Sequence, residues 1–323
     1  MAGINYGLFA RISPLEQPVL RIKCTLDTGI VQHQEFPLDE VVLAREAQRG
    51  GFWSYAAGVA YIFATEYHVG GIFIDNYKTT LPMKKGLSSS AAFCVLVARA
   101  FNRVYGLKLT QRGEMQAAYE GERLTPSQCG RMDQAVAFGS TPVVMSYDGD
   151  VLHVAPAKLA SPLHIVLVDL GASKNTVLIL KSLQQAFPHP VTAHEIALVN
   201  LLGQKNAEII ARAEEALGTG DLEAIGALMN EAQMLFDANA GPLCPDQLGV
   251  QGSPMLHRVL TFPDIQKYIW GGKGVGSQGD GTAQFLCRSL EYQEMLCREL
   301  ESAFDTVKCL KITISTDRIH SIN

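Results

Sequence analysis

The residues that invite a chemical reading lie between Thr79 and Gly106, in TTLPMKKGLSSSAAFCVLVARAFNRVYG. An extended segment passes Pro82, two lysines and Gly86. Ser88, Ser89 and Ser90 come next, and then a long apolar run of helical texture begins. A helix N-terminus leaves its first N–H groups without partners and carries partial positive charge, so it attracts anions. Gly86 allows positive φ and close approach of a bulky phosphate, while serine hydroxyls add donors to phosphate oxygens or oxygen ligands for Mg²⁺. Ala91 and Ala92 keep the first turn slim. One serine is enough to cap a helix, whereas three with a glycine suggest a phosphate cradle. A plain N-cap with harmless neighbours is the other reading of the same residues.

A second group stands in YEGERLTPSQCGRMDQ, where Glu122 precedes Asp133 by eleven residues. Magnesium-dependent phosphoryl transfer wants one carboxylate on the metal and another oriented toward the attacking hydroxyl. A carboxylate beside lysine and Mg²⁺ stays ionised at neutral pH and can take or orient a proton. The same two residues also suit a solvated helix position and the cap of a following turn. A third group, GGKGVGSQGDGTAQF, satisfies G-x-G-x-x-G at Gly274, Gly276 and Gly279. The dinucleotide fingerprint needs a strand before, a helix after and an acid further on. A β-like run, TAQFLC, comes after the glycines here, so that reading is rejected. No G-x-x-x-x-G-K-[ST] P-loop occurs in the chain.

Positioning these groups falls to a chain of mixed α and β. VLRIKCTLDTGIVQHQEF predicts a strand pair turning at Asp27–Gly29. Phe52, Tyr55, Val59 and Phe63 recur at helical spacing, and GIFIDNY predicts the strand that leads toward the serines. TQRGEMQAAYEGERL predicts a helix capped by Thr110. TPVVMSYDGDVLHV predicts a hairpin turning at Asp148–Gly149, and LHIVLVDLG a buried strand. From Ala193 to Ala238 the pattern is almost all helix, interrupted at Gly218–Gly220. Strands return in TAQFLC and CLKITIST, around the helix EYQEMLCRELESAF. The texture changes near Ala155–Pro162, which predicts domains at 1–157 and 158–323.

The 323 residues suit two domains of ordinary size, and 47% hydrophobic with 18% charged residues is a globular composition. A net charge of −5 without a basic stripe leaves no electrostatic footprint for nucleic acid. No apolar run is long enough to span a bilayer, and MAGINYGLFARISP lacks the charged and apolar regions of a leader. Seven scattered cysteines with no CxxC pair argue against a disulfide framework or structural zinc and for a reducing, cytoplasmic setting. The eight histidines show no H-x-x-x-H metal spacing. The expected partner is a small molecule, with neither nucleic acid nor membrane; oligomeric state is not legible.

PMKKGLSSSAA resembles the phosphate-binding motif of the GHMP kinases, the family of galactokinase, homoserine kinase, mevalonate kinase and phosphomevalonate kinase. Its form is P-x-x-x-G-L-x-S-S-A-A, and every fixed position is filled from Pro82 to Ala92. CGRMDQ, from Cys129 to Gln134, resembles the galactokinase segment C-G-x-M-D-Q. FWSYAAGV and GDLEAIGALMNEAQMLF resemble two further galactokinase-like segments, with Ala232 and Gln233 where Ser-His is usual. The late glycine cluster is similar to the family's C-terminal G-x-G-x-G-G motif on the floor of the active site, with Asp280 as a departure.

The resemblance implies a two-domain α+β GHMP kinase fold, an N-terminal ribosomal-S5-like α/β domain and then a C-terminal ferredoxin-like α+β domain. It implies ATP and Mg²⁺ as cofactors. Carried over by position, Asp133 is the catalytic base, while Ser90 and Glu122 are metal-associated. Pro82, Gly86, Leu87, Ser88, Ser89, Ser90, Ala91 and Ala92 bind the nucleotide, and Asp133, Lys174 and Gly276 face the substrate. The implied reaction moves the γ-phosphate of ATP to a monosaccharide, at the anomeric C1 hydroxyl. A non-sugar alcohol such as mevalonate, or a nucleotide- or sugar-binding sensor of weak activity, are the alternatives. The family's first motif, a basic residue and then G-E-H-x-D-Y, is not found; INYGLFARI resembles the residues that come just after that motif. The expectation is either a late start or a natural short form, with Arg11 as a stand-in cation out of its usual place.

Overall fold

The computed structural model describes every residue except 82–86, 128, 140, 150 and 316–323. The chain divides into two compact units, the first Met1–Ala155 and the second beginning at Pro156.

In the first unit, β1 (Leu8–Leu15), β2 (Val19–Thr25), β3 (Val31–Pro37) and β4 (Gly71–Thr79) form a sheet of order β1-β4-β2-β3. β2 and β3 are antiparallel across the Asp27–Gly29 turn, where Gly29 takes a φ of 82°. β4 runs parallel to β2 and antiparallel to β1. A parallel pair needs a long crossover, and the chain between β3 and β4 carries α1 (Glu40–Arg49) and α2 (Ser54–Glu66). Asp39 caps α1 by accepting the Val42 N–H at 3.0 Å. α3 (Ser89–Tyr105) and α4 (Gln111–Arg123) come next, the first ending on left-handed Gly106 and the second capped by Thr110.

Strand alternation explains the core. Leu20, Ile22 and Cys24 on β2 and Ile72 and Ile74 on β4 are buried, whereas Arg21 between them is exposed. They meet Phe63 of α2 and Phe93 and Phe101 of α3, and the Phe63 and Phe101 rings stack at 4.9 Å. Each such fully buried side chain contributes roughly 1.5–3 kcal/mol. A 3₁₀ turn, Asp133–Phe138, then leads to the hairpin of β5 (Val143–Asp148) and β6 (Val151–Pro156).

In the second unit, β7 (Leu163–Asp169), β8 (Ile269–Gly274), β9 (Thr282–Cys287) and β10 (Lys308–Ile314) form an antiparallel sheet of order β10-β7-β9-β8. Between β7 and β8 lie α5 (Thr176–Gln184), α6 (Ala193–Asn200), α7 (Asn206–Thr219), α8 (Leu222–Ala240), α9 (Gly249–Gly252) and α10 (Pro254–Leu260). α11 (Leu290–Ala303) joins β9 to β10. With its extra helices set aside, this is the β-α-β-β-α-β order of a ferredoxin-like layer, as the resemblance implied. α7 ends on left-handed Gly220 (φ 80°), the interruption read in the sequence. α8 lies directly on the outermost strand: a Cβ on Gly271 would sit 2.0 Å from the Gly226 carbonyl oxygen. No helix among the described residues is long and apolar enough to cross a membrane.

β1, α1, α5 and β8 are not among the elements the sequence predicts. β8 reads IWGGKG, and its three glycines conceal a strand whose position depends on close contact with α8 rather than on β propensity. The rejection of a dinucleotide fold at this cluster stands, since strands flank the glycines on both sides.

Candidate active site

Two glycines inside helices fix the first carboxylate. α2 and α4 cross so closely that a Cβ on Gly58 would lie 2.1 Å from the Gly121 carbonyl oxygen, and one on Gly121 only 2.5 Å from the Val59 Cα. An interior helix glycine costs about 1 kcal/mol relative to alanine; here it allows the backbones to touch. The next residue, Glu122, is thereby 1% exposed, which rules out the solvated helix position allowed by its sequence. Its carboxylate accepts from the Gln134 Nε2 at 2.8 Å, and also from the Ser90 hydroxyl and the Cys94 thiol.

Burial pushes the Glu122 carboxyl above its ordinary value of 4.5. The hydrogen bonds from Ser90, Gln134 and Cys94 oppose that rise, and the charge of nearby Asp133 adds to it. Gln134 leaves its own side-chain oxygen buried, with no partner among the described residues. Carboxylate, hydroxyl and amide oxygens form the all-oxygen donor set that suits a hard cation such as Mg²⁺. No cluster of three His, Cys, Asp or Glu side chains able to hold a metal occurs among the described residues. Mg²⁺ held by one or two carboxylates together with substrate phosphates requires none.

The serines enter at the start of α3. Ser88 sits in the left-handed region (φ 53°, ψ 40°), and among the described residues no side chain caps the helix. The three serines therefore do not act as redundant caps: the Ser90 hydroxyl turns to Glu122, and among the described residues the first-turn N–H groups have no side-chain acceptor. Leu87, Ser88 and Ser89 are partly exposed. The Ala91 side chain is wholly buried in the core, and Ala92 is partly exposed. Pro82, Lys84, Lys85 and Gly86 lie outside the described residues.

Asp133 opens the 3₁₀ turn and is partly exposed, while Gln134 beside it is fully buried. One residue thus faces outward and the next locks onto Glu122. The Tyr55 hydroxyl is also drawn in: burial, then the Glu122 charge, raise its pKa. Arg11, the stand-in cation, is exposed on β1 and stacks over the Tyr77 ring at 4.8 Å.

In the second unit, Lys174 comes shortly after β7 and crosses the glycine cluster. Its Nζ donates to the Gln278 carbonyl at 3.1 Å, and burial lowers its pKa from 10.5. A Cβ on Gly281 would lie 2.8 Å from the Lys174 Cδ, so that glycine makes room for the lysine stem. Gly276 is exposed at φ 62°, with nothing near its missing Cβ. Asp280, the departure in the motif, accepts the Leu256 N–H at 2.7 Å in the first turn of α10. Its carboxylate therefore caps a helix.

Residues 54–140, which span α2, α3, α4 and the Asp133 turn, match the GHMP kinases N terminal domain. In this segment the chain is similar to the GHMP kinases. It is 28% identical over 223 residues to the galactokinase of Thermococcus kodakarensis, covering 62% of this chain and 63% of that one. It is 24% identical over 165 residues to the mevalonate kinase of Aeropyrum pernix, covering 49% of this chain and 47% of that one. The chain thus spans less than two thirds of the length of either. The structure of Lactococcus lactis galactokinase complexed with galactose shares the fold at a TM-score of 0.69 and 17% identity, over 97% of this chain and 87% of that one.

Sequence reasoning does not single out Gln134, Tyr55 or Cys94 as neighbours of Glu122. The signal is present for Gln134, which stands next to Asp133 in CGRMDQ. Gly58 and Gly121 are also findable, since glycines within helices imply a close approach.

Proposed function

We propose that this chain is a kinase of the GHMP type and transfers the γ-phosphate of ATP to a hydroxyl of a monosaccharide, at the anomeric C1 position. The observation that carries the proposal is the Ser90–Glu122–Gln134 cluster, buried behind an α3 N-terminus that no side chain caps among the described residues. The first-turn N–H groups of α3, with the Ser88 and Ser89 hydroxyls, bind the triphosphate. Ser90 and Glu122 would hold Mg²⁺, with the buried, unpartnered oxygen of neighbouring Gln134 as a further donor. When bound, the ion neutralises charge that builds up on the phosphate oxygens during transfer.

Asp133 orients the acceptor hydroxyl and takes its proton. It is the carboxylate of the pair that is partly exposed, so a substrate can reach it. Gly86 and Pro82 belong to the same nucleotide loop, and Lys174 and Gly276 supply contacts to the substrate. In this reading residues 1–157 form the ATP-binding domain and 158–323 the second kinase domain, working in the cytoplasm. Positioning and preorganised charge account for most of the acceleration.

A sugar acceptor is favoured by CGRMDQ and by the galactokinase relative. A non-sugar alcohol such as mevalonate is the second reading, supported by the relative of that name. Phosphorus NMR of the product separates them: an anomeric phosphate supports the first, and a primary alkyl phosphate formed only with mevalonate supports the second.

A further inference from the structure

The loop 275–281 between β8 and β9 is tied down at both ends and in the middle. At its start, the Gly274 N–H donates to the Gln233 side-chain oxygen at 2.7 Å in a buried hydrogen bond. Two residues earlier, the Gly272 N–H donates to the Asn230 Oδ1 at 2.9 Å. β8 is the edge strand, so alternate N–H groups point away from the sheet. Asn230 and Gln233, three apart on α8, accept them in place of another strand. Lys174 holds the Gln278 carbonyl, and Asp280 holds the start of α10. Gln278 itself sits at φ 63°, a conformation a non-glycine keeps only when its surroundings impose it.

The Gln233 amide is in turn oriented. Its Nε2 donates to the Asp237 Oδ1 at 3.0 Å, and the Asp237 Oδ2 lies 2.9 Å from the His257 Nε2. The His257 Nδ1 lies 2.9 Å from the Ser253 carbonyl oxygen. A flipped Gln233 would turn its oxygen toward a carboxylate and its NH₂ toward a backbone N–H, so only one orientation satisfies all partners.

We propose that Gln233 is a positioning residue for phosphoryl transfer: its side-chain oxygen, oriented by Asp237 and His257, fixes Gly274 and so sets the loop 275–281 in the conformation the reaction uses. This rests on the kinase reading above, in which Gly276 of that loop contacts the substrate. It also gives a physical reason for a glutamine at this position: it accepts from Gly274 and donates to Asp237 through one side chain.

The test compares four proteins: wild type, Gln233→Leu, Gln233→Glu, and the double variant Gln233→Glu/Asp237→Asn. The single changes remove the amide or set two carboxylates against each other. The double change swaps amide and carboxylate, so every donor again meets an acceptor. The expected kcat for acceptor-dependent ADP formation falls roughly 10- to 100-fold in the singles, with acceptor KM within about threefold, and returns to within about threefold of wild type in the double. Hydrogen exchange at residues 274–281 should quicken in the singles and recover in the double. Unchanged loop protection in Gln233→Leu would overturn the proposal. Quicker exchange with undiminished kcat would also overturn it, leaving Gln233 a purely structural anchor. A wild type that forms no ADP with any acceptor sinks the kinase reading instead, and loop exchange still decides whether Gln233 holds the loop.

Discussion

Gln134 donates to Glu122 at 2.8 Å while its own side-chain oxygen stays buried without a partner among the described residues. An amide oxygen left unsatisfied beside a buried carboxylate is costly in the resting protein, on the order of 1–3 kcal/mol. In the proposed reading, a cation bound beside Glu122 would offset that cost.

Glu122→Gln should therefore stabilise the fold and abolish turnover. Burial raises the carboxyl's pKa in the folded state, so at neutral pH the ionised group is a burden. A raised folded-state value means that stability is lost as pH rises from about 4.5. Removing the charge should add on the order of 1 kcal/mol, about 2–4 °C in Tm for a unit of this size. A calorimetric scan at pH 7 checks the gain, and the gain should shrink toward pH 4.

Asp133→Asn should keep Mg·ATP binding and lose turnover by about 10²–10⁴-fold, the usual worth of a positioned general base. The shift in Tm on adding Mg·ATP reports binding separately from catalysis. An unchanged turnover number would remove Asp133 from its assigned role.

Gly121→Ala should disrupt the α2–α4 crossing, because the new methyl would meet the Val59 backbone at 2.5 Å. Overpacking of this kind costs roughly 1–3 kcal/mol, and Glu122 would move with the helix. Gly203→Ala, whose Cβ would find nothing within 4 Å, is the control and should melt near wild type. Equal Tm values for the two variants would show that the glycine contact is unimportant.

The His257–Asp237 pair carries a pH dependence of its own. The hydrogen bond that His257 donates to Asp237 raises the imidazole pKa above 6.5 against the opposing effect of burial, with the Ser253 carbonyl and the charges of Asp237 and Asp280 adding to the rise. Stability from this pair is fully present below about 6.5 and is lost as pH climbs through the raised value. Tm measured from pH 6 to 9 should fall more in wild type than in His257→Gln.

Much of this architecture was legible because the pattern and the packing agree. The Asp27–Gly29 turn, the Thr110 cap and the Gly220 break each involve one local rule acting without opposition. The GLSSSAA and CGRMDQ segments point to candidate residues by resemblance, and in the structure Glu122 accepts from the Ser90 hydroxyl and feels the charge of Asp133. What stayed hidden depends on contacts distant in sequence. β8 is a strand of glycines because α8 lies on it, and Asp280 reads as an intrusive charge until Leu256 is seen to donate to it. Ala91, one of the two alanines that keep the first turn of α3 slim, has its side chain buried in the core, which only the packing reveals.

The most direct measurement is ADP release by the purified chain with Mg·ATP and a panel of galactose, arabinose, N-acetylgalactosamine, galacturonate, glucuronate, fucose and mevalonate. The account predicts release that depends on one sugar and is lost in Asp133→Asn. Release with mevalonate alone, or none with any acceptor while Mg·ATP still raises Tm, would contradict it.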